Sequence, residues 1–190
     1  MKMKPESKNS DSDAMICAVF AVAAVETFVY ELGEEAFRSE DKVHGEFFRG
    51  LGKLVRDMEE SRFQLPVKLD WIARYLTGKR ARGESGAFQD FEILVRLRNT
   101  IIHLKDSEET CWYEDGSIDV KGTPKIVDQL QSKGVIPPDY MPSWIVAISD
   151  RKVAEWSCET AIRLVEALLG MLPTSELKRF MEIPHAAFRR

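Results

Sequence analysis

Apolar residues recur along much of this chain at spacings of three and four, which is the pattern of amphipathic helices. The segment 14–38 is apolar nearly all round, so we expect other elements to cover it on more than one side. The spacing predicts helices over residues 14–38, 43–61, 66–77, 88–105 and 150–172.

Residues that favour helix ends mark the limits of three of these helices. Ser12 or Asp13 is suited to cap the first helix, and Asp150 is suited to cap the last. Pro66 favours a first helical turn, and Gly78 favours the position just after a helix. These predictions rest on local chemistry alone.

Residues 106–149 interrupt the helical pattern. Alternating residues on either side of Asp115-Gly116 predict a small hairpin with a two-residue turn. Trp144–Ile148 is predicted as a further apolar strand, and 124–133 as a short helix. The predicted fold class is mainly α: an antiparallel bundle of four or five helices, with a small mixed hairpin insertion before the last long helix.

The length of 190 residues fits one domain, and 44% hydrophobic with 31% charged residues is the composition of a soluble globular protein. We predict a disordered N-terminal tail over 1–12 and a single helical domain over 13–173. A short helix and a basic tail are predicted over 174–190.

The net charge of −4 and the pI near 5.5 argue against a protein that coats nucleic acid through bulk positive charge. A nucleic-acid partner would be bound locally. The segment 79–82 carries Lys79, Arg80 and Arg82, and Arg74 lies on the helix before it. Such a loop is usually only solvated, but these four cations can also contact RNA phosphates.

The three cysteines, Cys17, Cys111 and Cys158, form no Cys-x-x-Cys pair and lie mostly in apolar sequence. This usage predicts buried free thiols in a reducing compartment. It indicates neither a zinc site nor a disulfide framework.

The apolar run Met15–Val25 has 11 residues, which is too short to span a bilayer. Ala21-Val22-Ala23 fits the cleavage site of a signal peptide, but the segment before the run is long and partly acidic, which argues against that interpretation. We therefore predict a cytoplasmic protein that does not contact a membrane.

Residues 45–53 contain three glycines and a Gly-Lys pair, and at first sight resemble a phosphate-binding loop. No Ser or Thr follows Lys53, and no strand precedes the segment. We reject a nucleotide-binding loop on those grounds.

The segment Arg98-Asn99-Thr100-Ile101-Ile102-His103 carries the candidate chemistry. With 14 arginines and 3 histidines in the chain, this Arg–His spacing is expected by chance about 0.2 times, and the adjacent Asn makes the combination much rarer. Taken singly, an arginine reaching water and an exposed helix histidine are the ordinary interpretations. Together, these residue types can handle a phosphodiester.

On the helical wheel, Arg98 falls inside the apolar arc, which includes Ile102, while Asn99 and His103 lie one turn apart on the polar side. Arg98 and His103 are therefore about 140° apart around the axis. They can share a site only if the arginine stem reaches around the helix, or if a second helix or subunit closes over both.

Glu26 is the acidic counterpart of Arg98. On the wheel of the first helix it lies among Met15, Val19, Val22 and Val29, so it is predicted to be a single acid in an apolar face. We predict that Glu26 and Arg98 form a buried pair.

The helix order and the Arg98–His103 segment resemble the HEPN superfamily, small helical bundles with a signature of Arg, four to six intervening residues, and His. A polar residue often follows the Arg, as Asn99 does here. The likeness covers about 14–105 and 150–172, and the insertion 106–149 lies outside it.

The resemblance implies a metal-independent endoribonuclease without a cofactor, in which two protomers build one composite site for single-stranded RNA. His103 would be the general base or acid on the ribose 2′-hydroxyl or the leaving oxygen. Arg98 would bind the scissile phosphate, and Asn99 would orient phosphate or water. Products would end in 2′,3′-cyclic phosphate. Glu26 is our own addition, as the acid that holds Arg98 in place.

The implied partners are RNA and a second copy of the chain, together with an antitoxin or nucleotidyltransferase if the protein is a toxin or defence protein. The family also contains members that have lost activity. The alternative is therefore a catalytically inactive module that binds RNA, a nucleotide or a protein. A helical scaffold that recognises only other proteins is a third interpretation.

Overall fold

The computed structural model describes the backbone of residues 10–81, 86–103, 109–112, 118–121, 125–137 and 144–187, and the side chains of 13–81, 86–103, 125–137 and 144–183. The described chain is mainly helical, which confirms the predicted fold class at that level. Its elements in chain order are α1 Ser10–Arg38, α2 Gly45–Glu60, α3 Leu65–Thr77, α4 Gly86–Ile102, β1 Glu109–Trp112, β2 Ile118–Lys121, α5 Lys125–Ser132, α6 Trp144–Ile148, α7 Arg151–Met171 and α8 Glu176–Ala187.

Three of the predicted helix ends have the expected chemistry. Asp150 Oδ1 accepts a hydrogen bond from the Lys152 N–H at 2.7 Å, which caps α7. Gly78 has φ 76° and its N–H donates to the Arg74 carbonyl at 2.8 Å, which ends α3 in a left-handed residue. Pro66 lies in the first turn of α3, as predicted.

The predicted start of the first helix is wrong. Helix α1 begins at Ser10, so Ser12 and Asp13 lie inside it and do not cap its start. No Gly or Pro lies between Ser10 and Asp13 to interrupt the helix. Acidic residues in a first helical turn are stabilised by the positive end of the helix dipole. Residues 1–9 lie outside the described part of the chain.

The two short strands pair antiparallel, with Glu109 opposite Lys121 and Trp112 opposite Ile118. The predicted turn at Asp115-Gly116 lies outside the described residues. The predicted helix over 124–133 is confirmed by α5.

The prediction of a strand at Trp144–Ile148 is wrong, because these residues form helix α6. Trp144, Ala147 and Ile148 are buried, and this spacing of three and four is helical. A five-residue apolar run is too short for its periodicity to distinguish a strand from a buried helix.

The chain divides into two compact units. Unit 1 comprises residues 1–22 and 93–160, and unit 2 comprises 23–92 and 161–190. The divisions fall within α1, α4 and α7. The domain limits at 12/13 and 173/174 stay predictions.

Each unit has its own apolar core. The buried side chains of unit 1 include Ala18, Val22, Leu94, Leu97, Leu130, Ile148 and Val153. Those of unit 2 include Val25, Leu32, Phe48, Leu51, Ile72, Phe91 and Leu164. Ser157 is also fully buried in unit 1, where its hydroxyl donates to the Val153 carbonyl at 2.7 Å and so keeps a hydrogen bond.

Helix α1 is long and apolar enough over Asp13–Arg38 to cross a membrane by length and composition. The predicted run of 11 residues counted only uninterrupted apolar positions, so it underestimated this helix. Core helices of soluble proteins meet the same test, and α1 supplies core residues to both units. The cytoplasmic location stays a prediction.

The glycines of residues 45–53 lie in helix α2, so they form no loop around a phosphate. Within unit 2, a Cβ on Gly52 would lie against the backbone N and Cα of Phe37, and a Cβ on Gly33 would overlap the Val55 side chain. These two glycines allow the backbones of α1 and α2 to approach closely.

A bidentate ion pair also joins α1 to α2 in unit 2. Arg56 Nε donates to Glu34 Oε1 at 2.8 Å, and Arg56 Nη2 donates to Glu34 Oε2 at 2.9 Å. The guanidinium carbon of Arg56 lies 3.7 Å from the centre of the Phe37 ring, which adds a cation–π contact. The hydrogen bonds from Arg56 lower the pKa of Glu34, and those to Glu34 raise the pKa of Arg56.

Glu34→Gln is expected to lower the melting temperature at pH 7 and to have no effect in strong acid. The folded-state pKa of Glu34 lies below its usual value of 4.5, so the carboxylate stabilises the fold above that pH. The contribution is lost as the pH falls through the lowered pKa. Melting curves of both proteins between pH 7 and pH 2 measure this.

Glu35→Gln is the matched control for that series. Glu35 makes one ion pair at 3.2 Å with Arg38, whose side chain is largely exposed. Exposed pairs of this kind contribute little. If the melting temperatures of the wild type and Glu34→Gln differ by the same amount at every pH, the ion pair is not the cause of the difference.

Candidate functional site

The candidate site lies at the C-terminal end of α4, in unit 1. Leu94 and Leu97 are fully buried and anchor this part of the helix. Arg96, Asn99 and His103 are exposed, as their positions on the wheel predict. The helix therefore presents its polar side to solvent along the last two turns.

Two of the predicted site residues, Arg98 and Asn99, are in contact there, and His103 follows one turn later. Arg98 is half-buried, and its Nη1 donates to Asn99 Oδ1 at 3.2 Å. The backbone N–H of His103 donates to the Asn99 carbonyl at 2.9 Å, which places the exposed histidine one turn beyond the amide. With its Oδ1 on the guanidinium, Asn99 offers Nδ2 as a donor to a ligand.

The segment of α4 that carries these residues is rich in basic side chains. Residues 93–103 contain Arg96 and Arg98 and no acidic residue, in a chain with a net charge of −4. The C-terminal end of a helix carries partial negative charge, which disfavours an anion. A phosphate here would therefore be bound by the side chains and not by backbone N–H groups.

Ile102 departs from the prediction. The wheel placed it in the apolar arc of α4, but its side chain is 52% exposed. The apolar arc of α4 thus continues onto an exposed residue in the last turn of the helix. An exposed isoleucine lies directly beside the candidate histidine.

The buried environment predicted for Glu26 is wrong. Its side chain on α1 is exposed, while Val22, Val25 and Val29 are buried. Because α1 is apolar on most sides, its wheel could not identify the side that faces solvent. Glu26 belongs to unit 2. Its pairing with Arg98 stays a prediction, but because Glu26 is exposed, we do not expect its removal to cost the stability that breaking a buried pair would.

The four cations predicted to bind RNA all belong to unit 2, and those that the structure describes differ in burial and in ion pairing. Arg74 is half-buried, and its Nε lies 3.1 Å from Asp70 Oδ2. Lys79 and Arg80 are exposed after the end of α3. Arg82 lies outside the described residues.

Asp70 also fixes the loop that carries these cations. Its Oδ1 accepts a hydrogen bond from the Ala81 N–H at 3.0 Å, so one carboxylate holds both the loop and the Arg74 side chain. Among the three described cations, Lys79 and Arg80 are more exposed than Arg74.

A cavity of about 280 Å³ lies between α1 and α2 in unit 2. Its lining contains none of the predicted site residues. The lining residues are Tyr30, Gly33, Glu34, Val55, Arg56, Glu59 and Glu60. Among the described residues, no three His, Cys, Asp or Glu side chains are grouped so as to hold a metal ion.

The prediction that the thiols are buried is wrong for Cys158, which is exposed on α7, while Cys17 on α1 is half-buried. Partial burial, and after it the neighbouring Cys17 thiol, raise the pKa of Cys158 above its usual value. The side chain of Cys111 lies outside the described residues.

The fold and site define a mainly helical protein with a polar Arg-Asn-His group at one helix end. Comparison of the chain with protein-family models, curated proteins and solved structures finds no match.

Proposed function

We propose that this chain is an HEPN-like, metal-independent endoribonuclease that cleaves single-stranded RNA at a site built by two copies of α4. The proposed architecture is a bundle of four or five helices with 106–149 as an insertion. A role as a toxin or defence protein, with an antitoxin or nucleotidyltransferase partner, belongs to the same proposal.

The observation that carries the proposal is the hydrogen bond from Arg98 to Asn99 beside the exposed His103. A guanidinium and an amide next to each other can donate several hydrogen bonds to one phosphate. An imidazole one turn away can exchange protons with the sugar or the leaving oxygen. The group thus contains the donors and the acid–base side chain that phosphodiester cleavage requires.

The exposed Ile102 supports the part played by a second copy. An isoleucine that is 52% exposed beside a polar site provides an apolar contact for a partner. A facing copy of α4 would bring a second arginine and a second histidine to the same phosphate. It would also exclude water, which strengthens each charged hydrogen bond.

In the proposed reaction, His103 of one copy accepts the proton of the ribose 2′-hydroxyl, and O2′ attacks the phosphorus. The bond from phosphorus to O5′ breaks, and His103 of the second copy donates a proton to the leaving oxygen. Arg98 stabilises the negative charge on the non-bridging oxygens. The products are a 2′,3′-cyclic phosphate and a 5′-hydroxyl, so atoms and protons balance without a metal ion.

The test is cleavage of single-stranded RNA in EDTA by the wild type and by variants of the site. His103→Ala and Arg98→Ala are each expected to reduce the rate about 100-fold or more. Arg96→Ala is the matched control, because it removes an exposed arginine from the same helix and is expected to leave the rate within about twofold. Product ends are identified by mass spectrometry.

Equal cleavage by the wild type and by His103→Ala would overturn the nuclease proposal. The second candidate function is a binding module, which is favoured because Arg98 and Asn99 can bind a phosphate without any histidine. RNA or nucleotide binding that depends on Arg98, without cleavage by any form, would support that function. Binding to neither would favour the protein scaffold.

A further inference from the structure

The basic segment 79–81 is folded back against α3 in unit 2. At its start, the Lys79 N–H donates to Thr77 Oγ1 at 3.2 Å. At its end, the Ala81 N–H donates to Asp70 Oδ1 at 3.0 Å, and Ala81 is 2% exposed. Both ends of the segment are therefore fixed to the helix, although its two cationic side chains are exposed. A ligand of these cations would not have to order the backbone that carries them.

An exposed tryptophan lies on α3 next to the residue that holds this segment. Trp71 follows Asp70 directly and is 46% exposed. The guanidinium carbon of Arg74 lies 5.5 Å from the centre of the Trp71 ring, and Arg74 Nε lies 3.1 Å from Asp70 Oδ2. One carboxylate thus positions both the cation beside the ring and the segment that carries Lys79 and Arg80.

The apolar part of this surface is small. Val67 and Trp71 are the large apolar side chains exposed on α3, a helix that the structure describes throughout. Beyond Trp71 the same face continues to Arg74 and Gly78. A partner helix or a membrane surface needs apolar anchors over several turns. An exposed aromatic ring beside cations is instead typical of a site for single-stranded nucleic acid, because bases stack on the ring and phosphates pair with the cations.

We propose that this surface of α3 binds a single-stranded segment of RNA. Its residues are Trp71, Arg74, Lys79 and Arg80. One base stacks on the Trp71 indole, which Arg74 holds in place, and the neighbouring phosphates accept hydrogen bonds from Lys79 and Arg80. The choice of RNA as the occupant rests on the proposed function, to which this surface adds a binding site separate from the residues of α4.

The experiment measures how tightly the His103→Ala protein binds a fluorescent oligouridine of about 20 nucleotides, by anisotropy in EDTA. The histidine variant prevents cleavage during the measurement. Adding Trp71→Leu is expected to weaken binding about 5- to 150-fold, because leucine stays apolar but offers no ring for stacking. Trp71→Phe keeps a ring and is expected to stay within about threefold of the parent. Phe180→Ala is the matched control, since it removes an exposed aromatic residue from α8 in the same unit.

The salt dependence of binding tests the cations. Each phosphate contact on a single strand contributes about 0.7 to the slope of log Kd against log salt concentration. The double variant Lys79→Gln/Arg80→Gln is therefore expected to flatten that slope by about 1.4. Arg49→Gln/Lys53→Gln removes two exposed cations from α2 in the same unit and is expected to leave the slope unchanged. Circular dichroism verifies that each variant folds.

The outcomes separate this surface from the proposed nuclease. If the wild type cleaves RNA, Trp71→Leu is expected to raise KM and leave kcat unchanged, because the surface binds RNA away from the reacting bond. Binding that depends on Trp71, without cleavage by any form, would support this surface and contradict the nuclease.

Equal affinity of the parent and its Trp71→Leu variant would overturn the surface even if the wild type cleaves RNA. An equal loss in Trp71→Leu and Trp71→Phe would show that no base stacks there. Tighter binding of an oligothymidine of the same length would assign the surface to DNA, and binding of phosphatidylserine vesicles in place of oligouridine would assign it to a membrane. Either result would overturn the assignment to RNA.

Discussion

Gly52→Ala is expected to lower the free energy of unfolding by about 1–3 kcal/mol, or more if the helices cannot separate. The new Cβ would lie against the backbone N and Cα of Phe37 on α1, in unit 2. A backbone segment cannot rotate away as the end of a flexible side chain can. Helix α1 would have to move, although Leu32 and Ala36 on the same stretch are fully buried.

Helix propensity does not offset this cost. Alanine favours a helix over glycine by about 0.5–1 kcal/mol, which is smaller than the expected strain. Gly170→Ala is the matched control, because Gly170 lies in α7 and, outside its own helix turn, no atom of the described residues lies within 4 Å of a new Cβ. That variant is expected to be more stable than the wild type by about 0.5–1 kcal/mol.

Urea or thermal unfolding of the two variants decides the prediction. The two substitutions are chemically identical, so changes of opposite sign in the free energy of unfolding would show that close contact between α1 and α2, and not helix propensity, requires glycine at position 52. If Gly52→Ala were as stable as Gly170→Ala, α1 and α2 would not approach as closely as the structure has them.

Leu97→Ala is expected to lower the free energy of unfolding by about 2–5 kcal/mol. Leu97 is fully buried in unit 1 and directly precedes Arg98. Its truncation removes apolar contacts and leaves a cavity under the turn that carries the candidate site. Chemical denaturation gives the loss directly.

Ile102→Ala is the control on the same helix. Ile102 is 52% exposed, so its truncation is expected to change stability by less than about 0.5 kcal/mol. If two copies of α4 meet as proposed, this variant instead weakens self-association, which sedimentation measures. Equal losses of stability in the two variants would contradict the burial pattern of α4.

Residues on α4 show how far sequence reasoning reached at the candidate site. The 3.6-residue period predicted that Leu94 and Leu97 are buried and that Asn99 and His103 are exposed, and both are confirmed. The same period predicted a buried Ile102, which is wrong. A wheel gives direction around the axis but not the point along the helix at which covering elements end.

The glycines of α2 are a second case. Their spacing excluded a phosphate loop, but it gave no reason for glycine at positions 50 and 52. That reason lies in contacts with α1 and α3: Gly52 faces the Phe37 backbone, and a Cβ on Gly50 would meet the Tyr75 hydroxyl. Close approach between helices depends on both partners, and one segment of sequence describes only one of them.

By itself, the sequence determined where helices form and where several of them end, because periodicity, Asp150 as a cap and Gly78 as a left-handed residue act over a few neighbouring positions. Only the tertiary structure decided that Glu26 faces solvent, that Trp144–Ile148 is a helix, and that Gly52 meets the Phe37 backbone. Burial and contact are properties of pairs of elements, and the residues that supply the second element are distant along the chain.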